Sequence, residues 1–370
     1  NVGKGVDKIM REVSINKNIL AMMTICLSVV VILGCTLGDP APAATPKVVE
    51  IEVEKIVEVE KDPGKLTIYS GRGESLVDPI IQQFGEVTGI DVQVKYAKTS
   101  ELAATLAEEG SKTPADVFFA QDPGGLGAVE DSFTVLPDSI LALVPQASRD
   151  EDGRWVGISG RARTVVYNNE RLTEADLPDD MFGFLDPKWE GRIGWAPTNS
   201  SFQTMVTAMR EVWGEDRTRE WLVGIQANNP KMYPKNTPQV AAAAAGEIDV
   251  GFVNHYYLFR FLAEEGDSFS AKNYHLRSGG PGAVMMLSGV GILSSSDNQE
   301  NARKFVEFML SKVAQQYFAG QTFEYPLVEG VKTSRLLTPM SDINLPNIDV
   351  NAMTDIEGTV GLLRGVGILP

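Results

Sequence analysis

From Lys65 to Pro370 the chain alternates between two apolar periods, one of two residues and one of 3.6, and this alternation restricts its fold more than any other feature. KLTIYS reads as a strand and is followed by the loop GRGES. The next segment carries Leu76, Ile80, Phe84 and Val87 at helical spacing. IDVQVKYA is then strand-like, SELAATLAEEG is a helix closed by Gly110, and ADVFFA is a short buried strand. Further on, IDVGFVN reads as a strand and HYYLFRFLAEEG as a helix. Asp297 and Glu300 are spaced as a capping box ahead of ARKFVEFMLSKVAQQYFAG, in which Phe305, Met309, Val313 and Tyr317 share one face. Strands interleaved with helices make an α/β protein, and 306 residues of this pattern are enough for two lobes. No internal repeat is evident.

The first 64 residues differ in kind. Lys4, Lys8, Arg11 and Lys17 precede the uncharged run Ile19–Gly34, the layout of a secretory signal peptide. Sixteen apolar residues are few for a spanning helix, although an uncleaved membrane anchor remains the alternative. The run ends Ile32-Leu33-Gly34-Cys35, which resembles a bacterial lipobox and makes Cys35 the expected lipidated residue after removal of 1–34. That removal takes away four basic and two acidic residues, so the net charge goes from -16 to -18. Residues 35–64 combine a Pro/Ala-rich stretch with an alternation of Val or Ile with Glu and Lys, and read as a charged, extended, lipid-anchored linker. Both readings place the body of the protein outside the cytoplasmic membrane.

Composition narrows the chemistry. Cys26 and Cys35 are the two cysteines, so residues 65–370 have neither thiol catalysis nor thiolate metal sites. With 33 basic against 49 acidic residues, no basic stripe suits nucleic acid. Hydrolase and nucleotide templates (G-x-S-x-G, H-E-x-x-H, the P-loop, a placed G-x-G-x-x-G) are missing, and His255 and His275 are the only histidines. The glycines of QDPGGLGAV and SGGPGAVMMLSG read as turns and hinge crossings.

Three passages could carry a site. Asn254-His255-Tyr256-Tyr257 follows a buried strand, at the carboxyl end where open α/β sheets place ligands. A hard trivalent cation could take phenolate oxygen there, while packing of both rings in the core is the competing reading. Ser70-Gly71-Arg72-Gly73-Glu74 joins a strand to a helix N-terminus, a ready anion site with an arginine in place. Trp155 to Asn168, WVGISGRARTVVYN, reads as a loop entering a strand and adds a hydroxyl, two guanidinium groups and Tyr167.

Together LTIYSGRGESLVDPIIQQF, PADVFFAQD, WVGISGRARTVVYN, NHYYL and GILSSSDNQENARKFVEFMLS resemble the bacterial periplasmic ferric-ion-binding proteins, in family order and over nearly all of residues 65–330. The resemblance implies a two-lobed periplasmic-binding-protein fold of type II, a two-segment hinge, and Fe(III) carried as cargo in the cleft. The expected lobes are 65–158 with 284–335 and 159–283 with 336–370. It implies Tyr256, Tyr257 and, as in the three-tyrosine branch, Tyr167 as metal ligands. A carbonate- or bicarbonate-like synergistic anion would lie on Arg72, Ser159, Gly160, Arg161 and Asn254. Two familiar ligands are missing: the histidine position holds Gly73 and the glutamate position holds Gln121, so neither is expected to matter for binding. The implied function is a lipid-anchored, monomeric solute-binding protein that serves the permease of an ABC importer, with no enzymatic activity. A receptor for a small anion or organic solute on the same fold is the alternative.

Overall fold

The computed structural model describes residues Asp62–Pro370. The segment 1–34, the expected lipidation residue Cys35 and nearly all of the linker lie outside the described residues. The elements follow in the order β1 (Lys65–Ser70), α1 (Glu74–Thr88), β2 (Asp91–Tyr96), α2 (Thr99–Glu109), β3 (Val117–Ala120), α3 (Pro123–Gly127), α4 (Asp138–Leu141), β4 (Trp155–Asn168), β5 (Ile193–Trp195), α5 (Ser200–Trp213), α6 (Glu215–Ala227), β6 (Lys231–Met232), α7 (Asn236–Ala244), β7 (Val250–Asn254), α8 (Tyr256–Glu265), β8 (Ala271–Tyr274), β9 (Met285–Ile292), α9 (Gln299–Met309), α10 (Lys312–Gly320), β10 (Tyr325–Pro326) and α11 (Ile356–Gly365). Among the described residues no helix is long and apolar enough to cross a membrane.

Two β/α halves share long strands. β1 lies between β2 and β3 in parallel, and β3 pairs antiparallel with β9. In the other half β5 lies between β6 and β7 in parallel, and β7 pairs antiparallel with β4. The fourteen-residue strand β4 joins the halves: Trp155 to Ala162 pair with β9, while Arg163 to Asn168 pair with β7 and β8. This two-lobed arrangement, connected through β4 and β9, is the expected fold.

Two large apolar clusters hold the lobes, and each draws on residues of both halves. In the first, Leu76, Ile80 and Phe84 of α1 pack with Ile68, Val117 and Phe305. Val87 departs from the expected stripe and is 64% exposed, because Val77 and Ile81 complete the buried face instead. In the second, Phe184, Trp195, Trp221 and Phe252 form the centre.

Three local expectations need correction. The segment 155–168 has no loop; every residue is buried strand, with a register shift between Gly157 and Ser159. The long helix after residue 298 is two helices. Asn298 makes no side-chain cap, since its amide donates to Asp116, so the Asp297–Glu300 capping box does not form. Ser311 then caps a new helix by accepting from the Ala314 N–H, and this break turns Val313 outward, 57% exposed, in favour of Ala314 and Phe318. The glycines of PGGLG do not form a turn; they make α3 a short helix that other segments press against. A Cβ on Gly124 would stand 2.1 Å from Ile356, and one on Gly125 2.0 Å from Thr99.

Candidate functional site

The site forms where the ends of several strands meet β4. Alternation along β4 puts Ser159, Arg161, Arg163, Val165 and Tyr167 on one face. At the end of β1, the loop bearing Arg72 turns sharply against α2: a Cβ on Gly71 would meet the Thr99 hydroxyl at 2.1 Å, which requires glycine there. β7 delivers Asn254 opposite Arg163, and the chain passes directly into α8 with Tyr256 and Tyr257 in its first turn.

The two tyrosine rings stack, with centroids 4.2 Å apart and planes inclined by 28°. Tyr256 is fully buried, and its hydroxyl has no hydrogen-bond partner. Burial pushes its phenol well above the usual tyrosine value, and the neighbouring Tyr257 adds to this, against a downward pull from Arg72 and Arg161. Tyr256 is therefore neutral until something replaces its proton.

Three buried arginines surround the pair. Arg72 forms an ion pair with the fully buried Glu324, which also accepts from the Ser159 hydroxyl; Ser159 in turn shares a 2.7 Å bond with the Ser288 hydroxyl. Burial works against the Arg72 charge, but Glu324 and the two phenols outweigh it and leave its pKa raised. Arg163 donates to the Asn254 side-chain oxygen at 3.0 Å and to that of Asn236 at 3.3 Å. Burial pulls Arg163 down to about 9, with Arg161 acting the same way and the tyrosines opposing, so it keeps its charge at neutral pH. Arg161 is fully buried, and all three of its guanidinium nitrogens lack a partner. Arg163 Nε and Nη2 and Arg72 Nε are likewise unpaired.

Leaving buried donors unpaired costs about 1–3 kcal/mol each, and more when they are charged. Six such guanidinium nitrogens near one unpartnered phenol leave buried hydrogen-bonding capacity that the protein itself does not meet. Gly160, between Ser159 and Arg161, pairs with Tyr325, and a Cβ there would be tight against Met285 and Tyr325. Among the described residues no group of three or more His, Cys, Asp or Glu side chains could hold a metal.

Sequence-predicted site residues fall into two groups. Arg72, Ser159, Gly160, Arg161, Asn254, Tyr256 and Tyr257 come together. Tyr167 does not join them in this structure. It pairs with Val250 at the opposite end of the β4–β7 ladder from the Arg163–Asn254 pair. It lies four strand steps from Arg163, about 13 Å at ~3.3 Å per residue. It packs in the second lobe's core, where burial and then Glu174 raise its phenol.

Gln121 is also not idle. Its side-chain amide donates to the Ser201 hydroxyl at 2.8 Å and to that of Ser200 at 3.2 Å. Gly73 matches its expectation of a position without a side-chain role: it precedes α1 with no cap bond, and a Cβ there would make only ordinary contact with Leu76. The residues that sequence reasoning missed are Glu324, Ser288, Asn236 and Ser201. Of these only Glu324 left a trace, as a lone acid between the aromatic residues of QTFEYPL.

His255 lies behind the pair and is not a ligand. Its Nδ1 accepts from the Ala162 N–H at 3.1 Å and its Nε2 faces the Phe323 carbonyl at 2.7 Å, which fixes the Nε2–H tautomer. Burial pushes it down to about 3, so the ring is neutral.

Two β/α lobes joined by crossing strands are the architecture of a solute-binding protein. Residues 113–354 match the family model described as bacterial extracellular solute-binding protein, and the chain belongs to that family. Membership makes it a binding protein and not an enzyme. It is 33% identical over 315 residues to the major ferric iron-binding protein of Neisseria meningitidis, a match spanning 82% of this chain and 93% of that protein. Iron-bound HitA from Pseudomonas aeruginosa superimposes with a TM-score of 0.79 at 30% identity, over 82% of this chain and all of the other. The Trichodesmium protein solved with iron and citrate ligands gives a TM-score of 0.73 at 27% identity, over 83% of this chain and all of the other.

Proposed function

We propose that this protein captures ferric iron, with Tyr256 and Tyr257 as phenolate ligands, and delivers it to the permease of an ABC importer. The observation that carries the reading is the unpartnered, fully buried Tyr256 hydroxyl stacked on Tyr257 among three buried arginines. A trivalent cation replaces the phenolic protons and supplies the partner that the hydroxyl lacks. The relatives' names and the iron-bound structures agree with this cargo.

A carbonate- or bicarbonate-like anion, or a polycarboxylate such as the citrate of the Trichodesmium structure, completes the site on the free nitrogens of Arg161, Arg163 and Arg72. Ser159 and Asn254 act one step back, by holding Glu324 and Arg163. The lobes are proposed as 65–158 with 284–335 and 159–283 with 336–370, and Cys35 as the point of lipid attachment outside the cytoplasmic membrane.

The same guanidinium groups favour a second reading, a receptor for an anion alone with the tyrosines as walls. Titration of purified protein with ferric salt and bicarbonate separates the two readings. A visible band from phenolate-to-iron charge transfer, saturating at one iron per chain, supports the first. Anion binding without colour supports the second.

A further inference from the structure

We propose that Gln121 is a latch across the cleft, a positioning residue that governs how fast the solute leaves. Gln121 follows β3 in the first lobe, and its backbone N–H is tied there to the Thr99 hydroxyl at 3.1 Å. Its side-chain amide reaches Ser200 and Ser201, the first residues of α5 in the second lobe. These serines are themselves fixed, since the Ser201 N–H donates to the Asn199 side chain that caps the helix. Both hydrogens of one amide are thus used on hydroxyls carried by the other lobe.

The contact continues toward the tyrosine pair. The Ser201 hydroxyl also accepts from the Asn254 amide at 3.3 Å, and the Asn254 oxygen holds Arg163 at 3.0 Å. Gln121, Ser201, Asn254 and Arg163 therefore form one chain of hydrogen bonds that starts in the first lobe and ends beside the tyrosine pair. Opening the cleft must break its first link, and breaking that link frees Ser201 and loosens the hold on Arg163. The lobes are bridged by protein groups in addition to any bound solute, so closure is an equilibrium of the protein that the solute biases.

Three variants test the latch: Gln121→Ala, Ser201→Ala and the double variant. Each is measured by small-angle scattering of the metal-free protein and by the rate of iron transfer to an external chelator. Each single variant is expected to enlarge the radius of gyration and to speed release on the order of tenfold, the worth of one or two hydrogen bonds. The double variant is expected to resemble Gln121→Ala, because Ser201→Ala removes only one of the two bonds that Gln121→Ala already removes. Unchanged scattering and release in Gln121→Ala, or effects that add as for independent sites, overturn the latch. The release arm rests on the iron reading proposed above, whereas the scattering arm does not. A wild type that takes up no iron but is more compact than Gln121→Ala sinks the iron reading and keeps the latch. A wild type that binds iron, with variants indistinguishable from it, does the reverse.

Discussion

Tyr256 and Tyr167 are both buried tyrosines near β4, yet the two ends of the β4–β7 ladder give them opposite surroundings. At one end Tyr256 faces three arginines and a carboxylate, and its hydroxyl has no partner. At the other, Tyr167 is packed among Val165, Trp195 and Phe252, with Glu174 as the charge that bears on it. Burial and residue type are nearly the same in the two cases. What differs is the charge and the unmet hydrogen bonding around the hydroxyl, and this difference, not burial, is what supports the proposed ligand role of Tyr256.

The largest effect expected from this contrast follows loss of a phenolate. Tyr256→Phe and Tyr257→Phe keep the stacked rings, so folding is retained, while ferric affinity falls by more than the ~10–100-fold typical of supporting groups around a metal. The visible band falls with it, as chelator competition and absorbance titration measure. Tyr256→Phe also removes a buried hydroxyl that has no partner, so the metal-free protein should not lose stability. A wild-type band in both variants breaks the comparison at its stronger end.

The second effect is on pH. Tyr256 is neutral when free, because burial and Tyr257 raise its phenol, and iron must displace that proton. Affinity therefore rises with pH, by about tenfold per pH unit for each proton released, at fixed anion concentration. His255, held down to about 3, adds no inflection near neutrality. Tyr256→Phe lowers the slope by one proton, and an equal slope in variant and wild type removes Tyr256 from the ligand set.

Most of the fold was legible in the sequence because each element carries its own period. The boundaries that went astray were decided by side-chain hydrogen bonds that the apolar period does not carry. Asn298 gives up its capping role to Asp116, and Ser311 restarts the helix two residues after Met309. The segment 155–168 looked like a loop because Gly157, Ser159 and Gly160 are weak strand formers, but pairing with β9 and β10 holds it extended. In the site, the adjacent tyrosines and the S-G-R-x-R segment could be read locally. Glu324 could not, because its meaning depends on Arg72, 252 residues away. Tyr167 marks the limit of such reading, because spacing along a strand gives the face of a side chain but not which end of the ladder it occupies.

The third effect is a trade of stability for binding at Arg161. A fully buried guanidinium with three unpaired nitrogens destabilises the ligand-free protein. Arg161→Met fills similar space without the charge, so it should stabilise the metal-free fold by on the order of 1–4 kcal/mol, the range seen when buried ionic groups are replaced by apolar ones. Iron retention should weaken, most strongly at low bicarbonate, where the anion's own affinity becomes limiting. Thermal melts with and without iron read both signs. A loss of stability in the metal-free variant would show that Arg161 is held by contacts of its own and does not await an anion.

The smallest effect belongs to Tyr167, and it tests the weaker end of the comparison. Tyr167→Phe keeps the ring among Val165, Trp195 and Phe252 and removes a hydroxyl that lies about four strand residues beyond Arg163. Stability should change by no more than about 1 kcal/mol, the net worth of an ordinary hydrogen bond. The position and intensity of the visible band should match the wild type, because no phenolate is lost from the metal. A weakened or shifted band in Tyr167→Phe would mean that the second lobe rearranges enough on loading to carry this residue the length of the ladder. That outcome would restore a three-tyrosine site. An unchanged band leaves two phenolates and the arginine-held anion as the set that binds iron.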